Sequence, residues 1–148
     1  MRSGSSGSPA VDKNGNVLGL MCAYYQNTSI GLILPMQKIV RALDAVQQGH
    51  RIPRGTLDVV WTFFSYGQCR QGGMSEDRIE RACNADQAKR NMLMVRNVLP
   101  EGLAAGQLGV GDILLEIEHR VNSNFFEMDD VLDNNIGKEI KLLIWRVG

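Results

Sequence analysis

The chain has 148 residues, 44% of them apolar, and its sixteen basic residues balance sixteen acidic ones. That is enough apolar material for one ordinary domain, or a small domain with part of another, and too much for a disordered chain. Zero net charge gives no electrostatic pull toward nucleic acid or an anionic membrane surface, no run of about 18 apolar residues offers a membrane span, and the N-terminus lacks the apolar core of a signal peptide.

In chain order, residues 3 to 9 read "SGSSGSP", which suits either a flexible linker or a tight loop. Pro9-Ala10-Val11, a turn centred on Asn14-Gly15, and the apolar run 17–24 predict a hairpin. The second strand is apolar at successive positions, so both of its faces are expected to be buried. Gln26 to Ser29 is a polar connection, and Gly31 to Leu34 a further strand stopped by Pro35. Met36, Ile39, Val40, Leu43 and Val46 then follow a helical spacing that ends near Gly49. These pieces offer too little surface to close a core alone, so residues 1–48 read as part of a larger domain, with 49–53 as a linker.

Residues 56–64 are β-branched and aromatic and predict a strand. The glycines at 67, 72 and 73 make 65–73 read as a loop. Ser75 is a good N-cap for a short charged helix. Met92 to Val95 predicts a strand, Leu99 to Gly102 a turn, and Leu103 to Ala105 a helical turn closed near Gly106. Ile113 to Ile117 is a strand. Phe125, Met128 and Leu132 form one helical stripe with Val131 beside it, and residues 140–145 form a last strand. Cys22, Cys69 and Cys83 are widely spaced, with no CxxC or Cys/His cluster for zinc, and read as free thiols. No metal or other cofactor is expected.

The stretch "VLPEGLAAGQLGVGDILLEIEHRVNSNFFEMDDVLDNNIGKEIKLLIWRVG" resembles a PDZ domain of the kind joined to HtrA-family serine proteases. Leu99-Pro100, Ala104-Ala105, Gly109, Gly111-Asp112-Ile113, Phe125, Gly137 and Arg146 stand at that family's positions. One departure is Glu118-His119 where the family has an Asn-Gly turn. Upstream, "GSSGSPAVDKNGNVLGL" and "SIGLILPMQKIVRALDAVQQGHRIPRGTL" resemble the end of an HtrA protease domain. Within the family, "GSSGSP" and "RGTL" resemble most the nuclear, pro-apoptotic HtrA-like proteases of fungi and their relatives.

The resemblance implies a mixed, mainly β chain: the C-terminal part of a trypsin-like β-barrel over 1–48, then an α+β PDZ domain of the permuted HtrA type over 54–148, with its final strand missing. It places Ser6 at the nucleophile position of the G-x-S-G-x-P loop, with backbone amides of Gly4 and Ser6 facing the developing oxyanion. Residues 17–24 would line the specificity pocket, with 28–33 as its other wall. The triad's His and Asp would precede Ser6, whereas His50 and His119 follow it. The chain is therefore expected to be a fragment that is inactive alone, from a serine endopeptidase of protein quality control or regulated proteolysis.

The PDZ resemblance implies a groove between strand and helix for unfolded or C-terminal peptide segments. Gly55, Thr56, Leu57, Asp58 and Val59 would lie on its strand side, and Met128 and Leu132 on its helix side. Asp58 stands where the family has a second glycine, and a carboxylate pointing inward would repel a peptide's own. The rival reading is a non-proteolytic peptide-binding or docking module. A possible homo-oligomer of the whole protein and a nuclear or cytoplasmic location are further implications of the resemblance.

Overall fold

A computed structural model describes residues 4–24, 30–85 and 90–146, and the chain divides into two units, Met1–Ile52 and Pro53–Gly148. The connection expected at Gln26 to Ser29 lies outside the described residues.

In the first unit, β1 (Pro9–Val11), β2 (Val17–Tyr24) and β3 (Gly31–Pro35) form an antiparallel sheet in that order, followed by α1 (Met36–Gln47). Asp12 organises the hairpin turn. Its Oδ1 accepts from the amides of Asn14 at 2.8 Å and Asn16 at 2.9 Å, and its Oδ2 from the Asn16 side chain. Those bonds, the Asn16 side chain's first, hold its carboxyl below the usual aspartate range. Gly19 is required where β2 meets β3, because a Cβ there would collide with the Leu34 carbonyl.

The expectation that β2 is buried on both faces is wrong. Val17, Leu18, Cys22 and Ala23 are exposed, and Gly19 alone is buried among the described residues of the strand. The reason is the number of layers. Only α1 packs on this sheet within the unit, and α1 itself has no fully buried residue.

The second unit runs β4 (Val59–Ser65), α2 (Tyr66–Gln71), α3 (Glu76–Ala85), β5 (Asn91–Val98), β6 (Ile113–Ile117), β7 (Arg120–Val121), α4 (Phe125–Asn134) and β8 (Leu142–Trp145). The sheet order is β4-β5-β6-β7, with β8 paired to β6, and each pairing is antiparallel. Alternation sorts the core into two layers. Met92 and Ile113 join Cys69, Ile79 and Ala82 of α2 and α3 on one face, while Leu93 and Leu114 join Met128 and Leu132 of α4 on the other. Ile117 falls with Leu114, three positions on, because the β6–β8 register shifts between Leu114 and Glu116. A bulge adds one residue and so reverses the facing.

Three local expectations are corrected. Residues 65–73 are not wholly loop: Ser65 and Gln68 form a capping box that starts α2, with the Gln68 amide donating to Ser65 Oγ and the Ser65 amide to Gln68 Oε1. This reciprocal satisfaction of two end amides outweighs the flexibility of Gly67. Strand β4 begins at Val59 rather than Thr56, since Asp58 takes φ +56° and breaks the extended run. Strand β8 begins at Leu142 rather than Ile140, because Lys141 bonds the β6–β7 turn instead.

That turn is as short as an Asn-Gly turn would be. Ile117 pairs with Arg120 across Glu118 and His119, whose φ angles are +49° and +63°. Left-handed backbone costs a residue with a Cβ roughly 1 kcal/mol or more. Two bonds to Lys141 offset it: the Glu118 amide donates to the Lys141 carbonyl at 2.9 Å, and the Lys141 amide to Glu118 Oε1 at 2.6 Å.

Candidate functional sites: a serine turn and a strand–helix groove

Ser6 lies in a turn pinned to β2. The Ser8 amide donates to the Ser5 carbonyl at 3.1 Å, the Gly7 amide to the Met21 carbonyl at 2.8 Å, and the Met21 amide to the Ser8 carbonyl at 2.9 Å. Gly4 and Gly7 have φ of +97° and +84°, the left-handed region that glycine enters without steric cost. Ser6 is exposed. Gly4 and Ser6 share one turn, held to β2 through the Gly7 and Met21 amides. Among the described residues of the first unit no imidazole hydrogen-bonds Ser6, and the His50 amide caps α1 through the Ala45 carbonyl. No cluster of metal-ligating side chains occurs among the described residues.

The second site is built where α4 lies beside β4. Asn124 caps α4, its Oδ1 accepting from the Phe126 amide at 2.8 Å and the Glu127 amide at 3.3 Å. At this end Phe125 meets Phe63 of β4 edge to face, with ring centroids 4.7 Å apart. Farther along, Leu57 and Trp61 pack against the buried cluster of Met128 and Leu132.

The other end of α4 is tied to the loop that leads into β4. The Gly55 amide donates to Asp133 Oδ1 at 2.8 Å, and Arg54 Nη1 lies 3.3 Å from Asp133 Oδ2. A Cβ on Gly55 would overlap the Leu132 carbonyl, so only glycine permits this approach. Asp58 turns toward the 99–104 loop. Its Oδ2 accepts from the Leu103 amide at 3.1 Å, its Oδ1 from the Thr56 hydroxyl at 3.2 Å, and its carbonyl from the Leu99 amide at 2.9 Å. A cavity of about 290 Å³ opens between this loop, the C-terminal end of α4 and residues 135–140. It shares Leu57, Leu103 and Ile140 with a neighbouring cavity of about 360 Å³ beside β8.

Of the residues singled out from sequence, Gly55, Thr56, Leu57 and Leu132 line the first cavity. Asp58 and Val59 stand just past it. Met128, 4% exposed, belongs to the core beneath. Sequence reasoning named Arg54 in the entry loop without a partner for it, and missed Asp133, Ile136 and Lys138. One signal for Asp133 was available: an acidic residue in the last turn of a helix opposes the helix dipole, so it needs a local partner. Here it has two.

No family profile matches the chain. It is similar to proteins named "Pro-apoptotic serine protease nma111" of Aspergillus clavatus, at 34% identity over 98% of this chain and 14% of the relative. It is likewise similar to "Pro-apoptotic serine protease NMA111" of Scheffersomyces stipitis, at 36% identity over 98% of this chain and 15% of the relative. The chain thus spans about one-seventh of the length of these relatives. Among solved structures it is similar to "HtrA-type protease AlgW with decapeptide", with a TM-score of 0.58 and 21% identity, covering 99% of this chain and 43% of that one. A second structure, "HtrA-type protease AlgWS227A with decapeptide", gives a TM-score of 0.56 at 22% identity. The mixed, mainly β fold is therefore one found in HtrA-type protease structures.

Proposed function

We propose that this chain is one segment of an HtrA-like serine protease, joining the serine loop of a trypsin-like protease domain to a PDZ domain that binds extended peptide; its similarity to the NMA111 relatives supports the reading. Residues 1–48 form the protease part, 49–53 the linker and 54–148 the PDZ domain. The observation that carries the peptide-binding reading is the groove itself: a strand and a helix packed side by side, closed at one end by the 54–58 loop over a largely apolar cavity. A peptide would add to the edge of β4 through main-chain bonds and seat one side chain in the cavity.

In the whole protein, Ser6 is the nucleophile that forms an acyl-enzyme during peptide-bond hydrolysis. A serine hydroxyl needs a neighbouring general base, and no imidazole among the described residues of the first unit bonds Ser6, so the chain alone is expected to be inactive. The compartment is nuclear or cytoplasmic, and the whole protein is the form in which self-assembly would arise. The test is incubation of the chain with a fluorophosphonate probe and with casein. No labelling and no cleavage are expected. Labelling that disappears in Ser6→Ala would overturn the claim of inactivity.

A second reading, a non-proteolytic peptide-binding module, is favoured by the same lack of an imidazole on Ser6. It separates from the first in the whole protein: cleavage of casein that Ser6→Ala abolishes supports the protease, and its absence supports the binder.

A further inference from the structure

We propose that the face of the second unit's sheet opposite α4 carries a separate binding site, a small apolar cavity with a guanidinium at its rim, whose ligand is a small, singly charged carboxylate bearing an aryl or branched alkyl group. The site does not depend on the reading of β4 and α4 as a peptide groove. A cavity of about 160 Å³ lies between α3 and strands β5 to β8, and Met92, Leu115, Val121 and Leu143 supply its apolar lining. An apolar cavity of about 150 Å³ is room enough for one benzene ring, so the space fits a phenyl or isobutyl group and little more.

The sequence leaves this hollow for two reasons. Helix α3 presses Ile79 and Ala82 onto the sheet, and the Ala82 methyl reaches far less deeply than the Ile79 side chain. The second reason lies in β8. Leu143 and Trp145 stand two positions apart and so share a face. Trp145 packs against the core beneath α2 and α3, whereas Leu143 remains 48% exposed at the cavity wall. The apolar floor is therefore open to solvent beside the helix.

The charges on the lining select the ligand's other end. Arg78, Arg81 and Ala82 stand at i, i+3 and i+4 of α3, which places all three on one side of the helix, and all three line the cavity. Glu116 is the single carboxylate on the lining, and it is engaged: Arg81 Nη2 donates to its Oε1 at 2.9 Å. The Arg78 side chain has no hydrogen-bond or ion-pair partner among the described residues. Asp77 and Glu80 are close to it in sequence, but residues one and two apart on a helix do not face each other. One positive charge is thus left unmatched beside an apolar floor. A guanidinium offers a carboxylate paired N–H donors, while the cavity takes the hydrocarbon end. A neutral ligand would forgo that interaction, and a dianion would bring more charge than the lining matches.

The experiment titrates the full chain with hydrocinnamate and with its neutral amide, hydrocinnamamide, and follows backbone amides by two-dimensional NMR. Saturable shifts should centre on Arg78, Arg81, Ala82, Glu116, Val121 and Leu143, with the acid bound about fivefold more tightly than the amide, as a partly exposed ion pair allows. Arg78→Gln should remove that preference, and added salt should narrow it by screening. Leu143→Ala should weaken acid and amide alike, about threefold, since it strips apolar surface from the wall. Both positions are exposed, and the amide spectrum of each variant reports whether the fold is kept. No saturable shifts at these residues, or shifts centred on the groove instead, would overturn the site. Equal binding of acid and amide, or a preference for the acid that survives Arg78→Gln, would overturn the carboxylate assignment. The groove reading is judged by peptide titration and stands or falls separately.

Discussion

Asp112 carries a side chain only 2% exposed. Arg146 Nε donates to its Oδ1 at 2.6 Å and Arg146 Nη2 to its Oδ2 at 2.5 Å, and the Gly109 amide adds a bond of 2.7 Å. Arg146 foremost, then the Gly109 amide and the Arg146 charge, hold this carboxyl below the usual aspartate range against the cost of burial. Its folded value is depressed, so the stability it contributes is present above about pH 4, where an unfolded aspartate is ionised. That contribution is lost as pH falls through the folded value. Asp112→Asn should cost about 1–3 kcal/mol at neutral pH and should flatten the acid limb of a urea-midpoint profile. An unchanged acid limb would show that this clamp contributes nothing. Gly55 is a residue-scale test of a different kind. Gly55→Ala drives a methyl into the Leu132 backbone, so thermal melting should show a loss of about 1–3 kcal/mol. Peptide affinity should fall with it, because the loop amides move.

Among the elements, α4 and β6 were read from sequence nearly to the residue, because their apolar stripes and their turn residues agree. Phe125, Met128 and Leu132 recur at helical spacing, and Gly111, at φ +94°, marks the turn before Ile113. Element α2 was missed because three glycines in nine residues resemble a loop, while Ser65-x-x-Gln68 is a start signal that needs only four. Ser65→Ala should cost about 1 kcal/mol and raise amide exchange across Tyr66 to Gln71. Unchanged exchange there would mean that packing of Tyr66 and Cys69 alone holds the helix. The start of β4 was placed three residues early because no pattern in Thr56-Leu57-Asp58 announces a left-handed Asp58. The bonds that favour it come from Leu99 and Leu103, more than forty positions away. The groove was legible as a strand and a helix. The ties among Arg54, Gly55 and Asp133 were not, because they join residues 78 and 79 positions apart.

For the chain as a whole, each unit is described by a different kind of packing. The second holds two buried layers on either side of its sheet, and the first has a sheet whose strand β2 remains largely exposed. The serine turn is pinned to β2 by backbone bonds, and the groove has its strand edge, its helix, its cavity and two amides that donate to no acceptor among the described residues. On the proposed reading, peptide binding is the property to look for in this chain. The most direct test is a two-dimensional amide NMR titration of the chain with randomised decapeptides. Saturable shifts should centre on Thr56, Leu57, Ile136, Gly137 and Lys138 and leave Ser6 and Gly7 unmoved. The absence of saturable shifts, or shifts centred on the serine turn, would contradict the assignment of the groove as the working site.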